Sequence, residues 1–179
     1  SCLCDDAGCE QCYALGMTTL VTGATGLVGN AIVRALQTRG RPVRVLVRDV
    51  KKAERTVPAP VEIVRGDVTE ADSVRAAMTG VDVVYHAAGL PEQWLKNPGT
   101  FERVNVGGTQ TMCAEALRAK VKCFVYTSTI DVCRAAPGAE DDESEIDPEP
   151  KGTFYERSKQ EADRRVVAED VGHTQQGAL

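Results

Sequence analysis

Gly23, Gly26 and Gly29 recur at three-residue steps in Gly23-Ala24-Thr25-Gly26-Leu27-Val28-Gly29. That spacing suits a backbone that must come close to a diphosphate. Gly23 permits a tight turn, Gly26 lets the main chain approach without a Cβ, and Gly29 lets the following helix pack closely. The first turn of that helix, with Thr25, Leu27 and Val28 beside the glycines, then offers free N–H groups and a partial positive charge. A dinucleotide is the expected ligand, and further residues read as its contacts. Arg48 can pair with a ribose 2′-phosphate through two parallel bonds, which favours NADP. The alternative is that Arg48 is a solvated charge and Asp49 binds a 2′-hydroxyl, which selects NAD. Asp67 is placed to accept from the adenine amino group, with Val68 against the ring. Ala87, Ala88 and Gly89 are small enough for a cofactor to run past.

Tyr155 and Lys159 stand four residues apart, so on a helix they share one face. A tyrosine is a poor base at its free pKa of about 10. A nearby ammonium and a positively charged nicotinamide favour the phenolate. Ionisation near neutrality takes roughly 4 kcal/mol, which two close cations in a partly dry cleft can supply. Tyr155 would then shuttle a proton to or from a substrate oxygen while the nicotinamide moves hydride. Within Tyr126-Thr127-Ser128-Thr129 the hydroxyl of Thr129, or of Ser128, can donate to that oxygen. His86 reads as a packed, satisfied histidine in preference to a base.

These groups need a scaffold, and the apolar pattern supplies one. Strands are expected at Thr18–Thr22, Val43–Val47, Val61–Val64, Val81–His86 and Lys122–Ser128. Helices are expected at Gly26–Thr38, Glu70–Met78, Thr100–Ala119 and Phe154–Glu169. Apolar strands alternating with helices imply an α/β fold with a doubly wound parallel sheet, Rossmann-like, in order 3-2-1-4-5. The ligand crevice lies where that order reverses. Residues 17–170 form this domain. Residues 1–16, with Cys2, Cys4, Cys9 and Cys12, read as a disordered leader, zinc binding being the lesser alternative. Residues 171–179 read as a patternless polar tail. The loops Leu90–Pro98 and Ile130–Pro150 should line the substrate pocket, with Trp94 either a contact or a packing residue.

Net charge is −5 and the sequence pI about 5.1 over 179 residues, which argues against nucleic acid or an anionic membrane surface as partner. No apolar run approaches a membrane span, and a cytoplasmic location is the default. Seven cysteines without a secretory pattern read as reduced thiols.

In order along the chain, the glycine loop, Gly66-Asp67-Val68-Thr69, His86-Ala87-Ala88-Gly89, Asn105-Val106-Gly107-Gly108-Thr109, Tyr126–Thr129 and Tyr155-Glu156-Arg157-Ser158-Lys159 resemble the extended short-chain dehydrogenase/reductases, part of the NAD-dependent epimerase/dehydratase superfamily. The wording is most similar to the dihydroflavonol reductase and 3β-hydroxysteroid dehydrogenase branch. The resemblance implies a catalytic triad of Thr129, Tyr155 and Lys159, with Lys159 holding the nicotinamide ribose and Asn105 steadying local geometry. It implies an NADP-dependent (or NAD-dependent) oxidoreductase acting on a ketone or secondary alcohol, and no metal. A sugar-nucleotide epimerase or dehydratase and a non-catalytic dinucleotide-binding module are the alternatives. It also implies a homodimer through helices 100–119 and 154–169. The family continues into another strand and a substrate domain. Ala168–Leu179 does not resemble that continuation, so a chain without the substrate domain is expected.

Overall fold

The computed structural model describes residues 17–91, 95–134, 146–169 and 174–177. The first four cysteines, Trp94 and the acidic residues 139–145 lie outside the described residues. Six parallel strands form one sheet in the order β3-β2-β1-β4-β5-β6. They are β1 Thr19–Thr22, β2 Val43–Val47, β3 Glu62–Arg65, β4 Val83–His86, β5 Cys123–Thr127 and β6 Thr174–Gly177. The expected 3-2-1-4-5 order is present, and β6 extends it. This corrects the patternless reading of the tail: Thr174-Gln-Gln-Gly177 has no apolar alternation to announce a strand, yet it pairs with Phe124–Thr127.

The helices are α1 Leu27–Thr38, α2 Val50–Thr56, α3 Ala71–Ala77, α4 Gly99–Phe101, α5 Gly108–Ala119 and α6 Phe154–Glu169. Between α4 and α5 the helix runs through a π-helical stretch, Glu102–Gly107. α2 was not foreseen. Only Ala53 of its seven residues is buried, so it carries no apolar stripe. Its start is nevertheless explicit: Asp49 Oδ1 accepts from the Lys52 amide at 2.9 Å, a side-chain N-cap.

Successive strand residues point to opposite faces, and each face has its own core. Leu20, Val84 and Phe124 pack with Val74 of α3, Met112 and Ala116 of α5, and Ala162 and Val166 of α6. Val21 and Val45 pack on the other face with Val33 and Leu36 of α1 and Ala53 of α2. Strands covered on both sides explain why they read as apolar runs. α3 is tied to α5 by a two-pronged ion pair, Arg75 Nε and Nη2 to the buried Glu115 carboxylate at 3.0 and 2.8 Å. Among the described residues no helix is long and apolar enough to cross a membrane.

Candidate active site

The glycine loop joins β1 to α1 at the carboxyl edge of the sheet. Gly23 has φ +70°, and a Cβ there would stand 2.5 Å from the Ala87 carbonyl oxygen. Gly29 packs so closely on the loop that a Cβ would collide with the Gly23 carbonyl. Gly26 is the N-cap of α1 and offers no capping side chain, so first-turn amides are left without a side-chain partner. A Cβ on Gly26 would meet only the Gly23 carbonyl oxygen, at 3.3 Å; otherwise it would project into open space. Three close approaches and an open face at an uncapped helix start make a cradle that fits a diphosphate.

The cleft beyond this loop has a volume of about 490 Å³. Every position expected to hold a cofactor lines it: Gly23, Thr25, Gly26, Leu27 and Val28 in the loop, Arg48, Asp67 and Val68 along one wall, and Ala87, Ala88, Tyr155 and Lys159 towards the other end. Lys52, which sequence reasoning did not assign, lines it beside Arg48. Asp49 is engaged in capping α2. Asp67 Oδ1 accepts from the amide and hydroxyl of Thr69, both at 2.9 Å, which fixes its carboxylate at the rim. Of the two candidate hydroxyls, Ser128 lines the cleft and Thr129 is not among its lining residues.

Tyr155 sits in the first turn of α6. That turn is fixed by a reciprocal capping box: the Thr153 amide donates to Glu156 Oε2 at 2.9 Å, and the Glu156 amide to Thr153 Oγ1 at 3.1 Å. Lys159 follows one turn later and is buried. Its Nζ donates to Tyr126 Oη at 2.6 Å and to the Thr127 carbonyl at 2.7 Å. It also lies 4.2 Å from the centre of the Tyr126 ring. This departs from the sequence reading, which set the ammonium against Tyr155. Burial brings Lys159 down to about 8, opposed by the Asp163 carboxylate. Tyr155 is held above its ordinary value by burial and then by Asp131, while a hydrogen bond with Thr129 pulls the other way.

Two carboxylates at this end were missed. Asp163, one helical turn beyond Lys159, accepts from Ser128 Oγ through Oδ2. Its Oδ1 is buried and without a hydrogen-bond partner among the described residues. Burial pushes Asp163 up to about 6, against the opposing pull of Ser128 and Lys159. Asp131 accepts from Thr129 Oγ1 at 2.8 Å. The available signal for Asp163 was an acid at i+4 from Lys159, on the same helix face.

His86 is part of the scaffold. In register across three strands, Thr22 faces His86 and His86 faces Tyr126. Thr109 Oγ1 donates to the Asn105 carbonyl at 2.6 Å, so it receives the bond from His86 Nε2 at 3.1 Å. Nδ1 is then the acceptor for Thr22 Oγ1 at 2.7 Å, and Thr22 Oγ1 accepts from the Ala88 amide at 3.1 Å. The partners thus assign the Nε2–H tautomer. Burial, with Lys159 nearby, lowers His86 to about 3, and it stays neutral. Asn105 lies in the π-helical stretch, a frequent marker of functional positions. Its Oδ1 accepts from the Leu90 amide at 2.8 Å and its Nδ2 donates to Ser158 Oγ at 2.9 Å. One side chain therefore ties the turn after β4 to the helix carrying Tyr155 and Lys159.

A glycine cradle at a helix start, a wall carrying Arg48, Asp67 and Val68, and a Tyr/Lys helix share one cleft, and the comparisons agree with that arrangement. The family model described as the NAD dependent epimerase/dehydratase family matches residues 19–173. The chain belongs to this family. It is 37% identical over 156 residues to sterol demethylase protein B of Methylococcus capsulatus, covering 87% of this chain and 48% of that protein. It is 34% identical over 160 residues to the 3 beta-hydroxysteroid dehydrogenase/Delta 5→4-isomerase of Mycobacterium tuberculosis, covering 84% and 42%. A short-chain dehydrogenase/reductase superfamily protein from Agrobacterium tumefaciens, solved with bound NAD, superposes with TM-score 0.72 at 26% identity, over 90% of this chain and 48% of that one. The chain thus spans about half the length, or less, of the relatives it matches.

Proposed function

We propose that this chain is the dinucleotide-binding part of an oxidoreductase that interconverts a ketone and a secondary alcohol, with NADP as coenzyme. The observation that carries the reading is that Tyr155 and Lys159 open onto the same cleft as the Gly23–Gly29 cradle. The α1 N-terminus takes the diphosphate, Arg48 and Lys52 take a 2′-phosphate, and Asp67 and Val68 take the adenine. Asp49 supports this preference because its carboxylate already caps α2. Bound there, the nicotinamide supplies the hydride donor or acceptor.

The chain's own residues handle position and protons. Lys159, held by Tyr126 and Thr127, holds the nicotinamide ribose. Tyr155 exchanges the proton of the substrate oxygen, with Thr129 beside it. The test is coenzyme-dependent turnover over a panel of ketones and secondary alcohols. Tyr155→Phe keeps the ring and removes the hydroxyl, and it should cut turnover by about a hundred-fold or more. Undiminished turnover by that variant would remove Tyr155 from the chemistry.

A further inference from the structure

Lys159 lines the cleft although it is buried. An ammonium carries three hydrogens and no acceptor, and burying it is costly unless those hydrogens find partners. Two of them do. Nζ donates to Tyr126 Oη at 2.6 Å and to the Thr127 carbonyl at 2.7 Å. Both acceptors are uncharged, and one hydrogen is left for a ligand in the cleft. The carbonyl belongs to the backbone of β5 and stays whatever side chains stand nearby. The phenol oxygen is a side-chain atom that can be removed alone. Tyr126 is only 1% exposed, and its ring centre lies 5.8 Å from that of His86, its register partner on β4. It is not among the residues that line the cleft. Burial raises it well above the ordinary tyrosine value, so it stays a neutral phenol. Its route to a ligand is through Lys159.

We propose that Tyr126 is a positioning residue, whose phenol oxygen keeps the buried Lys159 amine charged and fixes it so that its remaining hydrogen serves the coenzyme. This rests on the reading that Lys159 holds the nicotinamide ribose. The oxygen acts in two ways. As an acceptor it favours the ammonium over the amine, against the burial that draws Lys159 down. As a second fixed point beside the Thr127 carbonyl, it stops the ammonium from turning about its Cε–Nζ bond and presents the third hydrogen in one direction. The other titratable groups around this point are Asp163 and Tyr155 on α6, His86 on β4, Cys113 on α5 and Asp131 after β5. Asp163 draws Lys159 upward, His86 is neutral, Asp131 acts on Tyr155, and Cys113 acts on Tyr126. Among the described residues, Tyr126 is the one titratable side chain hydrogen-bonded to Nζ.

Two readouts test the proposal. In the first, protein labelled with ¹³Cε-lysine is titrated by NMR from pH 6 to 10, with Lys159→Met assigning the resonance. Tyr126→Phe keeps the ring and removes one oxygen, and it should move Lys159 ionisation down by about one pH unit. Phe124→Leu disturbs the same core and should leave that titration in place. In the second, NADP binding is followed by calorimetry over the same pH range. Wild-type affinity should fall as pH rises through the Lys159 titration, and the fall should begin about one pH unit lower in Tyr126→Phe. At pH 6, where both amines are charged, the two proteins should bind within about three-fold of each other. An unmoved Lys159 titration in Tyr126→Phe, or an equal movement in Phe124→Leu, overturns the positioning role. A titration that moves while NADP affinity does not follow it leaves Tyr126 bonded to Lys159 and overturns the ribose role of Lys159 instead.

Discussion

At the residue scale, the site divides into groups that bind by charge and groups whose charge is set by burial. Arg48 and Lys52 belong to the first kind. Arg48→Ala should weaken NADP by about ten-fold, the loss of one charge-assisted phosphate pair, and leave NAD within about two-fold. Equal losses for both coenzymes would show that Arg48 does not read the 2′-phosphate. Lys159 belongs to the second kind. Its folded value of about 8 lies below the ordinary 10.5, so the unfolded chain holds the proton more tightly. Between those values the unfolded state binds more protons, and stability must rise with pH. Chemical denaturation from pH 8 to 10 should show the rise, at up to about 1.4 kcal/mol per pH unit, and Lys159→Met should abolish it. The placement of Tyr155 and Lys159 on one helix at the cleft and the glycine loop were legible because they are local, a four-residue spacing and three small residues; the bonding of Lys159 to Tyr126 and Thr127 was not. Asp131 and Asp163 were not. Nothing in the sequence says that the hydroxyls of Thr129 and Ser128 turn to carboxylates.

At the scale of the element, each functional side chain depends on how its helix begins or bends. Thr153→Ala removes one half of the capping box at the turn carrying Tyr155. It should lower unfolding stability by about 1 kcal/mol, read as a shifted denaturant midpoint with unchanged slope. Arg75→Met leaves the buried Glu115 carboxylate without its two-pronged partner. It should lower the denaturant midpoint, and the double variant Arg75→Met with Glu115→Met should recover most of the loss. A double variant as unstable as the single one would contradict that account. The first five strands and the long helices were visible because burial imposes their periodicity. α2, with one buried residue, and β6, with none of the strand-forming apolar types, were not. The π-helical stretch that carries Asn105, with its bonds to Leu90 and Ser158, was also invisible, since no composition signal marks it.

At the scale of the whole molecule, the reversal of strand order between β1 and β4 opens the crevice, and each part of the site lies at its rim. Leu117, Phe154 and Val167 remain exposed on α5 and α6. We propose that a second copy covers these helices, packing four of them together. Sedimentation should then show a dimer that Phe154→Glu weakens, and a monomer at all concentrations would refute it. The central claim is that a nicotinamide dinucleotide rests its diphosphate on the start of α1. Calorimetric titration of NADP into the folded chain and into Gly26→Ala tests it most directly. Gly26 has φ −94° and ψ 174°, a backbone that alanine adopts freely, so the added methyl fills the cradle without unfolding the loop. Saturable one-to-one binding by the wild type, weakened about ten-fold or more by the methyl, is the expected result. No binding by folded wild-type protein, or equal binding by Gly26→Ala, would contradict it.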